Sequence, residues 1–243
     1  MLKSWDARRD YIIAGDVKQT IDFAVEHLVH SAQKSIQQRG RFAVALSGGS
    51  TPKAIYERLV LEKLDWDKIW LFWSDERAVA PDHPDSNYRM AMESFQKVPI
   101  PPSQIFRMIA ESDIEKHAAD YEEKICHLLG NHLFDLVMLG VGEDGHTASL
   151  FPHTKSLEIE DRLVSANYIS EKKTWRMTLT FACINQSFHS VIYAIGASKE
   201  FIVPKVLSAP ILSEYPASRI GTDEKKALWI LDQGAAKSLK QSF

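Results

Sequence analysis

The 243-residue sequence is poor in cysteine and lacks long apolar runs, and each shortage excludes a class of protein. Its two cysteines, Cys126 and Cys183, are far apart in apolar segments, so they indicate neither a disulfide framework nor a C-x-x-C motif. No stretch approaches the roughly 18 apolar residues that a membrane-spanning helix needs. The first residues also lack the apolar segment of a secretory signal. We therefore expect a cytoplasmic protein with reduced thiols.

An excess of either charge is also missing. The formal net charge is −3 and the pI is about 6.3, which gives no general attraction to nucleic acid or to a membrane surface. We expect neither as a partner, and a small anionic ligand would need a local group of cations. No repeat or linker interrupts the chain, so we expect a single domain over residues 1–243, as a monomer or a small homo-oligomer.

Short apolar runs alternate with helical patterns, which is typical of α/β proteins. Buried strands are predicted at residues 42–46, 69–73, 136–139, 189–195 and 227–231. Further strands at 163–169 and 175–180 predict a small antiparallel insertion. The expected fold is a three-layer α/β/α domain with a largely parallel, Rossmann-like sheet and helices on both faces.

Several local patterns refine this expectation. Residues 16–39 predict the first helix, with Asp16 as its cap and Gly40 at its end, and little else is expected before the strand at 42. Ser112 and Glu115 have the spacing of a capping box for a helix that ends at Gly130. A short strand is predicted at 104–109, and a helix over 199–207 is expected to kink or break at Pro204.

One stretch dominates the sequence, residues 134–152, which read FDLVMLGVGEDGHTASLFP. An apolar strand gives way to the glycines Gly140, Gly142 and Gly145, and the pattern predicts a helix start near Asp144 and His146. A helix N-terminus disfavours imidazolium, so His146 would stay neutral and able to accept a proton. Asp144 could orient that ring, accept a substrate hydroxyl or only shape the loop. A strand-to-helix corner without any function is the competing interpretation.

A second glycine-rich turn follows the strand at 42–46. It contains Ser47, Gly48, Gly49, Ser50 and Thr51 ahead of a proline. Free N–H groups at the following helix start, with the serine and threonine hydroxyls, favour an anion such as phosphate. The turn is neither a Walker A loop nor a dinucleotide fingerprint, because the required spacing and lysine are missing. An uncommitted turn remains the alternative.

Charged residues follow two other strands. Asp75 and Arg77 lie just after the strand at 69–73, and Lys199 follows the strand at 189–195. Arg77 could clamp a phosphate with two hydrogen bonds, whereas a solvated surface run is the competing interpretation. Arg176 is equally compatible with a structural ion pair. We expect no metal, because the histidines other than His146 do not form a metal-ligand pattern. These histidines are His27, His30, His83, His117, His127, His132, His153 and His189.

The segments LSGGSTP, SDER, PDHPDSNYR, GVGEDGHTASLFP, RMTLT and GASK occur in this order across nearly the whole chain. Together they resemble the 6-phosphogluconolactonase family. The related glucosamine-6-phosphate deaminases carry a motif like D-G-H-I-A-F-N-E-P, whereas this chain continues from His146 as TASLFP. Their strand-end acid pair is followed by Tyr, whereas Arg77 stands here. Ala78 departs from the bulky residue that often follows Asp-Glu-Arg.

The resemblance implies hydrolysis of 6-phospho-D-glucono-1,5-lactone in the oxidative pentose phosphate pathway, with a sugar-phosphate lactone as the only partner and no cofactor. It implies that residues 47–50, Arg77 and Lys199 hold the phosphate and that His146 acts at the lactone carbon. Thr51, Asp75, Gly142 and Arg176 are further candidates for substrate contact, and Asp144 for catalysis.

Two other functions remain open. A glucosamine-6-phosphate deaminase or related isomerase would use Asp75 as an acid/base at the second sugar carbon. A non-enzymatic sugar-phosphate sensor would resemble the effector domains of some transcription regulators, but no helix-turn-helix segment or basic surplus is visible. An ATP-pyrophosphatase loop, S-G-G-x-D-S, fails because position 51 is Thr.

Overall fold

The structure is a computed structural model that describes residues 1–130 and 133–239, so the prediction made for His132 lies outside it. Ten strands are described: β1 (Lys3–Ser4), β2 (Arg9–Ile13), β3 (Phe42–Leu46), β4 (Ile69–Trp73), β5 (Asp75–Arg77), β6 (Leu136–Leu139), β7 (Val164–Ile169), β8 (Thr174–Leu179), β9 (Ser190–Ala194) and β10 (Ala227–Leu231). The α-helices are α1 (Val17–Arg39), α2 (Ser50–Leu59), α3 (Asn87–Phe95), α4 (Ile114–Leu129), α5 (Phe181–Gln186) and α6 (Ile202–Ser208).

Seven strands form the main sheet, in the order β1-β2-β10-β9-β6-β3-β4. All neighbouring strands are parallel except the short edge pair β1 and β2. The central strands β3 and β6 consist of buried residues throughout, which explains their continuous apolar sequences. The α/β class with a largely parallel sheet, helices around it and a small antiparallel sheet is therefore confirmed.

The strand order places a switch point between β3 and β6. From β3 the chain moves to β4 on one side, and it then returns to β6 on the other side of β3. Right-handed crossovers therefore place α2 and α4 on opposite faces of the sheet. The loops after β3 and β6 diverge at this point, which leaves a crevice at the carboxyl ends of the strands.

A second sheet of three antiparallel strands, in the order β5-β8-β7, carries further charged residues. The sequence places Asp75 and Arg77 just after the strand at 69–73, and in the structure they form strand β5 of this second sheet. Ser74 joins the two sheets: its N–H and hydroxyl both donate to the Leu46 carbonyl, at 2.7 and 3.0 Å, and its own carbonyl accepts from the N–H of Leu179. The position of the small sheet is therefore fixed at the end of β3 and β4.

The first helix confirms its predicted limits. Asp16 and Gln19 form a reciprocal capping box, in which the Asp16 carboxylate accepts from the Gln19 N–H at 2.8 Å and the Gln19 side chain accepts from the Asp16 N–H. Gly40 ends the helix with a φ of +75°, a left-handed conformation that glycine adopts without a Cβ penalty. Its inner face packs on β3, β10 and α2.

Several local predictions are wrong. Two strands, β1 and β2, precede α1 and were not expected. The capping box at Ser112 and Glu115 does not form, because Asp113 takes the N-cap position without a side-chain bond and the Ser112 carbonyl contacts His117 instead. Residues 104–109 form only an isolated bridge at Ile105.

Pro204 does not break its helix. It lies in the first turn of α6, where the missing N–H costs nothing, and the irregular step comes earlier, between the short 3₁₀ helix Ala197–Lys199 and Ile202. Within the described ranges 1–130 and 133–239, every helix is too short or too polar to cross a bilayer.

The capping box of α1 gives a stability test. Asp16→Ala should lower the free energy of unfolding by about 1 kcal/mol, because the Gln19 N–H loses its side-chain acceptor. Urea titration at constant m-value measures this change. Lys18→Ala, in the same turn with an 83% exposed side chain, is the matched control and should cost less than about 0.5 kcal/mol. Equal losses in the two variants would contradict the capping role.

Candidate active site

A cleft of about 270 Å³ opens at the switch point between β3 and β6. It contains three cations and one carboxylate, so its charge is the reverse of the small net negative charge of the chain. The main predicted contact residues that line it are Ser47, Gly48, Gly49, Ser50, Thr51, Asp75, Arg77, Gly142, His146, Arg176 and Lys199. The structure therefore brings together candidates that are spread over some 150 residues of sequence.

The loop after β3 forms one wall of the cleft. The Tyr56 hydroxyl holds it by accepting from the Ser47 N–H at 2.9 Å and donating to the Ser47 carbonyl at 2.8 Å. Gly49 has a φ of +105°, which turns the chain into α2. No side chain caps α2, so the N–H groups of its first turn keep their capacity to bind an anion.

Two arginines face each other on the small sheet. Arg77 and Arg176 are direct partners in the register of β5 and β8, an arrangement in which like charges repel. The Nε of each is buried without a hydrogen-bond partner in the described part of the chain. Burial lowers the pKa of Arg176 from its ordinary value; Asp75 opposes this effect and Arg77 adds to it. An anion between the two guanidinium groups would relieve the repulsion.

Asp75 is buried and already engaged through both carboxylate oxygens. Oδ2 accepts from the Ser149 hydroxyl at 2.6 Å, and Oδ1 accepts from the Asn87 side-chain amide at 3.2 Å. Arg176 Nη1 lies 4.0 Å from Oδ2. Asp75 therefore connects the small sheet, α3 and the loop that follows β6.

Glu76 is also buried and held by hydrogen bonds within the protein, which no sequence pattern predicted. Its carboxylate accepts from the N–H groups of Arg77, Asn87 and Tyr88 and from the Ser86 hydroxyl, at 2.8 to 3.0 Å. Burial raises the pKa of Glu76, and these hydrogen bonds oppose that shift. The residue holds the start of α3 against β5, the strand that carries the predicted phosphate ligand Arg77.

His146 is bound to Asp144. The imidazole Nδ1 lies 2.5 Å from Asp144 Oδ1, and the same oxygen accepts from the His146 N–H at 3.1 Å. Burial raises the pKa of Asp144, but the hydrogen bond and charge of His146 outweigh it, and the pKa stays below the ordinary value. The side chain of Asp144 lies outside the 270 Å³ cleft and lines a larger neighbouring cleft of about 700 Å³.

The predicted helix start at Asp144 and His146 is wrong. The chain turns after His146 and enters the small sheet, without an α-helix between β6 and β7. No helix dipole therefore acts on His146, so the expectation of a neutral ring that rested on a helix start has no support here. A carboxylate only accepts hydrogen bonds, so Nδ1 carries the proton that points to Asp144, and in the neutral imidazole the lone pair is then on Nε2.

Gly142 makes the His146–Asp144 pair possible. A Cβ at this position would lie 2.1 Å from His146 Nδ1 and 2.7 Å from Asp144 Oδ1. The Gly142 N–H donates to the His146 carbonyl, and the Gly145 N–H donates to the Gly142 carbonyl. The N–H groups of Gly142 and Gly145 therefore already have acceptors within the loop. The other N–H groups of this loop are better candidates for hydrogen bonds to the oxyanion.

Sequence reasoning missed several residues around the cleft. Asn87 lies in PDHPDSNYR and Ser149 lies three residues after His146, so both belong to motifs that the sequence singles out, and this was an available signal. Tyr193 also lines the cleft, and its buried hydroxyl has no partner among the described residues. It stands inside an apolar strand, where no sequence pattern separates a functional tyrosine from a core residue.

Comparison with known proteins places this site in a family. The family model described as glucosamine-6-phosphate isomerases/6-phosphogluconolactonase matches residues 15–229. The chain belongs to this family. A 6-phosphogluconolactonase of Chlamydia pneumoniae is 43% identical over 216 residues, which cover 87% of this chain and 83% of that protein. One from Synechocystis is 40% identical, over 85% of this chain and 88% of its own length.

Solved structures of the family share the fold. 6-Phosphogluconolactonase from Trypanosoma cruzi superimposes with a TM-score of 0.87 at 28% identity, over 98% of this chain and 99% of that one. A monomeric glucosamine-6-phosphate deaminase gives a TM-score of 0.81 at 21% identity, over 94% and 99% of the two chains, and so shows the fold alone.

The excess of cations in the cleft predicts that inorganic phosphate stabilises the protein. At ten times its dissociation constant, phosphate should add about 1.4 kcal/mol to the free energy of unfolding, which raises Tm by roughly 3–5 °C at this chain length. Arg77→Gln should remove most of the shift. Arg41→Gln is the matched control. Arg41 lies just before β3, at the amino ends of the strands and opposite to the cleft, with its guanidinium over the Trp70 ring. Equal shifts in both variants would exclude Arg77 from the anion site.

Proposed function

We propose that this chain hydrolyses 6-phospho-D-glucono-1,5-lactone to 6-phosphogluconate, a step of the oxidative pentose phosphate pathway. The observation that carries the proposal is a histidine–carboxylate pair, His146 and Asp144, at the edge of a cleft rich in cations. Relatives near 40% identity are named 6-phosphogluconolactonase over most of their length.

The phosphate end of the substrate is assigned to the loop after β3. The uncapped N-terminus of α2, the hydroxyls of Ser50 and Thr51, and the side chains of Arg77 and Lys199 supply hydrogen-bond donors and positive charge there. Arg176 adds a further cation beside Arg77. Binding of the phosphate at this loop positions the lactone ring toward the loop after β6, where His146 lies.

The proposed hydrolysis follows from the hydrogen bond between His146 Nδ1 and Asp144, which leaves Nε2 of the neutral imidazole as the base. Nε2 accepts a proton from a water molecule while the water oxygen forms a bond to the lactone carbonyl carbon. The carbonyl oxygen takes up the negative charge, which N–H groups of the Gly140–Gly145 loop can stabilise. The bond to the ring oxygen then breaks, and that oxygen receives a proton from the imidazolium or from solvent. Asp144 holds the Nδ1–H throughout and stabilises the imidazolium. The lactone is an activated ester, so the route requires no metal.

The deaminase or isomerase alternative would need Asp75 as a free acid/base. In the structure this carboxylate is buried and hydrogen-bonded through both oxygens to Ser149 and Asn87, which favours a structural role. The non-enzymatic sensor has no feature of its own in the cleft to favour it. The discriminating test is a coupled assay on freshly made 6-phosphogluconolactone, with ammonia release from glucosamine 6-phosphate as the control reaction. Ammonia release without lactone hydrolysis would overturn the proposal.

The setting of the enzyme is part of the same proposal. The composition supports a cytoplasmic protein that acts on a small molecule, without nucleic acid or membrane as a partner, as one domain over residues 1–243. Its assembly as a monomer or a small homo-oligomer can be measured by light scattering.

Removal of the base should abolish most of the activity. His146→Ala is expected to lower kcat by 10²–10⁴-fold, the usual contribution of general base catalysis, with KM for the lactone nearly unchanged. His30→Ala, an exposed position on α1, serves as the control. A purified His146→Ala enzyme with wild-type kcat would remove His146 from the mechanism.

Gly142→Ala tests the His146–Asp144 pair without replacing either of the two residues. The added methyl group would overlap the His146 ring and the Asp144 carboxylate, so kcat should fall by about 10²-fold as the ring is displaced. The rise in Tm with inorganic phosphate should remain as in the wild type, because the loop after β3 is unaltered. Full activity in this variant would show that the pair can separate without consequence.

A further inference from the structure

The end of the dominant motif has no role in the reaction described so far. Phe151 lies five residues after His146, and its side chain is buried. Its ring is stacked on the His146 imidazole, with 4.0 Å between the ring centroids and 17° between the planes. Asp144 is the only hydrogen-bond partner of that imidazole in the described part of the chain.

The contact results from a tight turn. Thr147 and Leu150 form an antiparallel bridge, closed by a hydrogen bond from the Leu150 N–H to the Thr147 carbonyl at 2.9 Å. The residues that flank this pair, His146 and Phe151, are therefore neighbours on adjacent segments. Ala148, inside the turn, adopts a φ of +48°, a left-handed conformation that L-residues other than glycine adopt rarely.

Hydrogen bonds hold the turn from three sides. The Thr147 hydroxyl donates to the Gly140 carbonyl at 2.8 Å, and the Ser149 hydroxyl donates to Asp75. The Ser149 N–H donates to the Thr178 hydroxyl at 3.1 Å. The surrounding structure thus over-determines the turn, as backbone in a sparsely populated conformation requires.

A hydrogen bond at Nδ1 fixes one atom of the imidazole and leaves the ring free to tilt about that bond. A flat apolar surface against the ring removes this freedom. We propose that Phe151 is a positioning residue that fixes the plane of the His146 ring, so that Nε2 keeps one direction in the cleft. This inference rests on the proposed function, because it assigns Phe151 to the same reaction.

Phe151 also lies near two cations. The Arg176 guanidinium carbon is 5.6 Å from its ring centroid and Lys172 Nζ is 5.7 Å from it. A role through Arg176 would alter substrate binding, whereas a role through His146 would alter the rate of the chemical step. The two roles therefore separate in kcat and KM.

The kinetic test replaces the ring by side chains of similar volume that are not flat. Phe151→Leu and Phe151→Met should each lower kcat about 10-fold, because a displaced base is inefficient, and should change KM less than about twofold. Phe151→Tyr keeps the ring and should retain kcat within about threefold. Phe134→Leu is the matched control: Phe134 is buried against Phe72 just before β6, at the far edge of the sheet. It should lower Tm and leave kcat and KM unchanged.

A second measurement does not depend on activity. The ring current of Phe151 should shift the His146 ring protons upfield in the NMR spectrum of the wild type and of Phe151→Tyr, and the shift should vanish in Phe151→Leu. Wild-type kcat in the Leu and Met variants, an equal loss in Phe151→Tyr, a rise in KM at constant kcat, or unshifted His146 protons in the wild type would each overturn the inference. A wild-type enzyme that is inactive on the lactone but shows the upfield shift would contradict the proposed function alone.

Discussion

The site depends on the hydrogen bonds of one buried carboxylate, Asp75. Its oxygens accept from Ser149, in the turn that carries His146, and from Asn87, at the start of α3. Its backbone belongs to β5, which pairs with β8. A buried charge is tolerated only when it is hydrogen-bonded and paired. The two arginines and the turn that follows His146 are consequently held by a residue to which we assign no step in the chemistry.

The electrostatics of the cleft follow from the same arrangement. The register of β5 and β8 places Arg77 opposite Arg176, and this repulsion is acceptable in a site whose ligand is an anion. Asp144, which is hydrogen-bonded to His146 Nδ1, supplies a negative charge at the end of the cleft where His146 lies. Under the proposed function, positive charge at one end of the cleft and the His146–Asp144 pair at the other would orient a phosphorylated lactone.

The sequence predicted most strands of the main sheet well because β3, β4, β6 and β10 are short apolar runs made largely of buried residues. It also placed the glycine-rich turn at Ser47 and the pair Asp144 and His146. It failed where tertiary contacts override local pattern: β2 acquires its partner from β10, more than 200 residues away, and Asp75 becomes a strand by pairing with Thr178. The helix expected at His146 failed for the same reason, since the turn is fixed by Asp75 and Thr178.

The hydrogen bonds of Ser74 have a consequence for phosphate binding. The arginines belong to the small sheet, whereas His146 and the loop at Ser47 extend from the main sheet, and Ser74 connects the two through Leu46 and Leu179. The position of the small sheet therefore sets the distance of Arg77 and Arg176 from the loop at Ser47. Under the proposed function, a substitution at Ser74 that shifts the small sheet would weaken phosphate binding, although the Ser74 side chain lies buried behind the cleft and outside its lining.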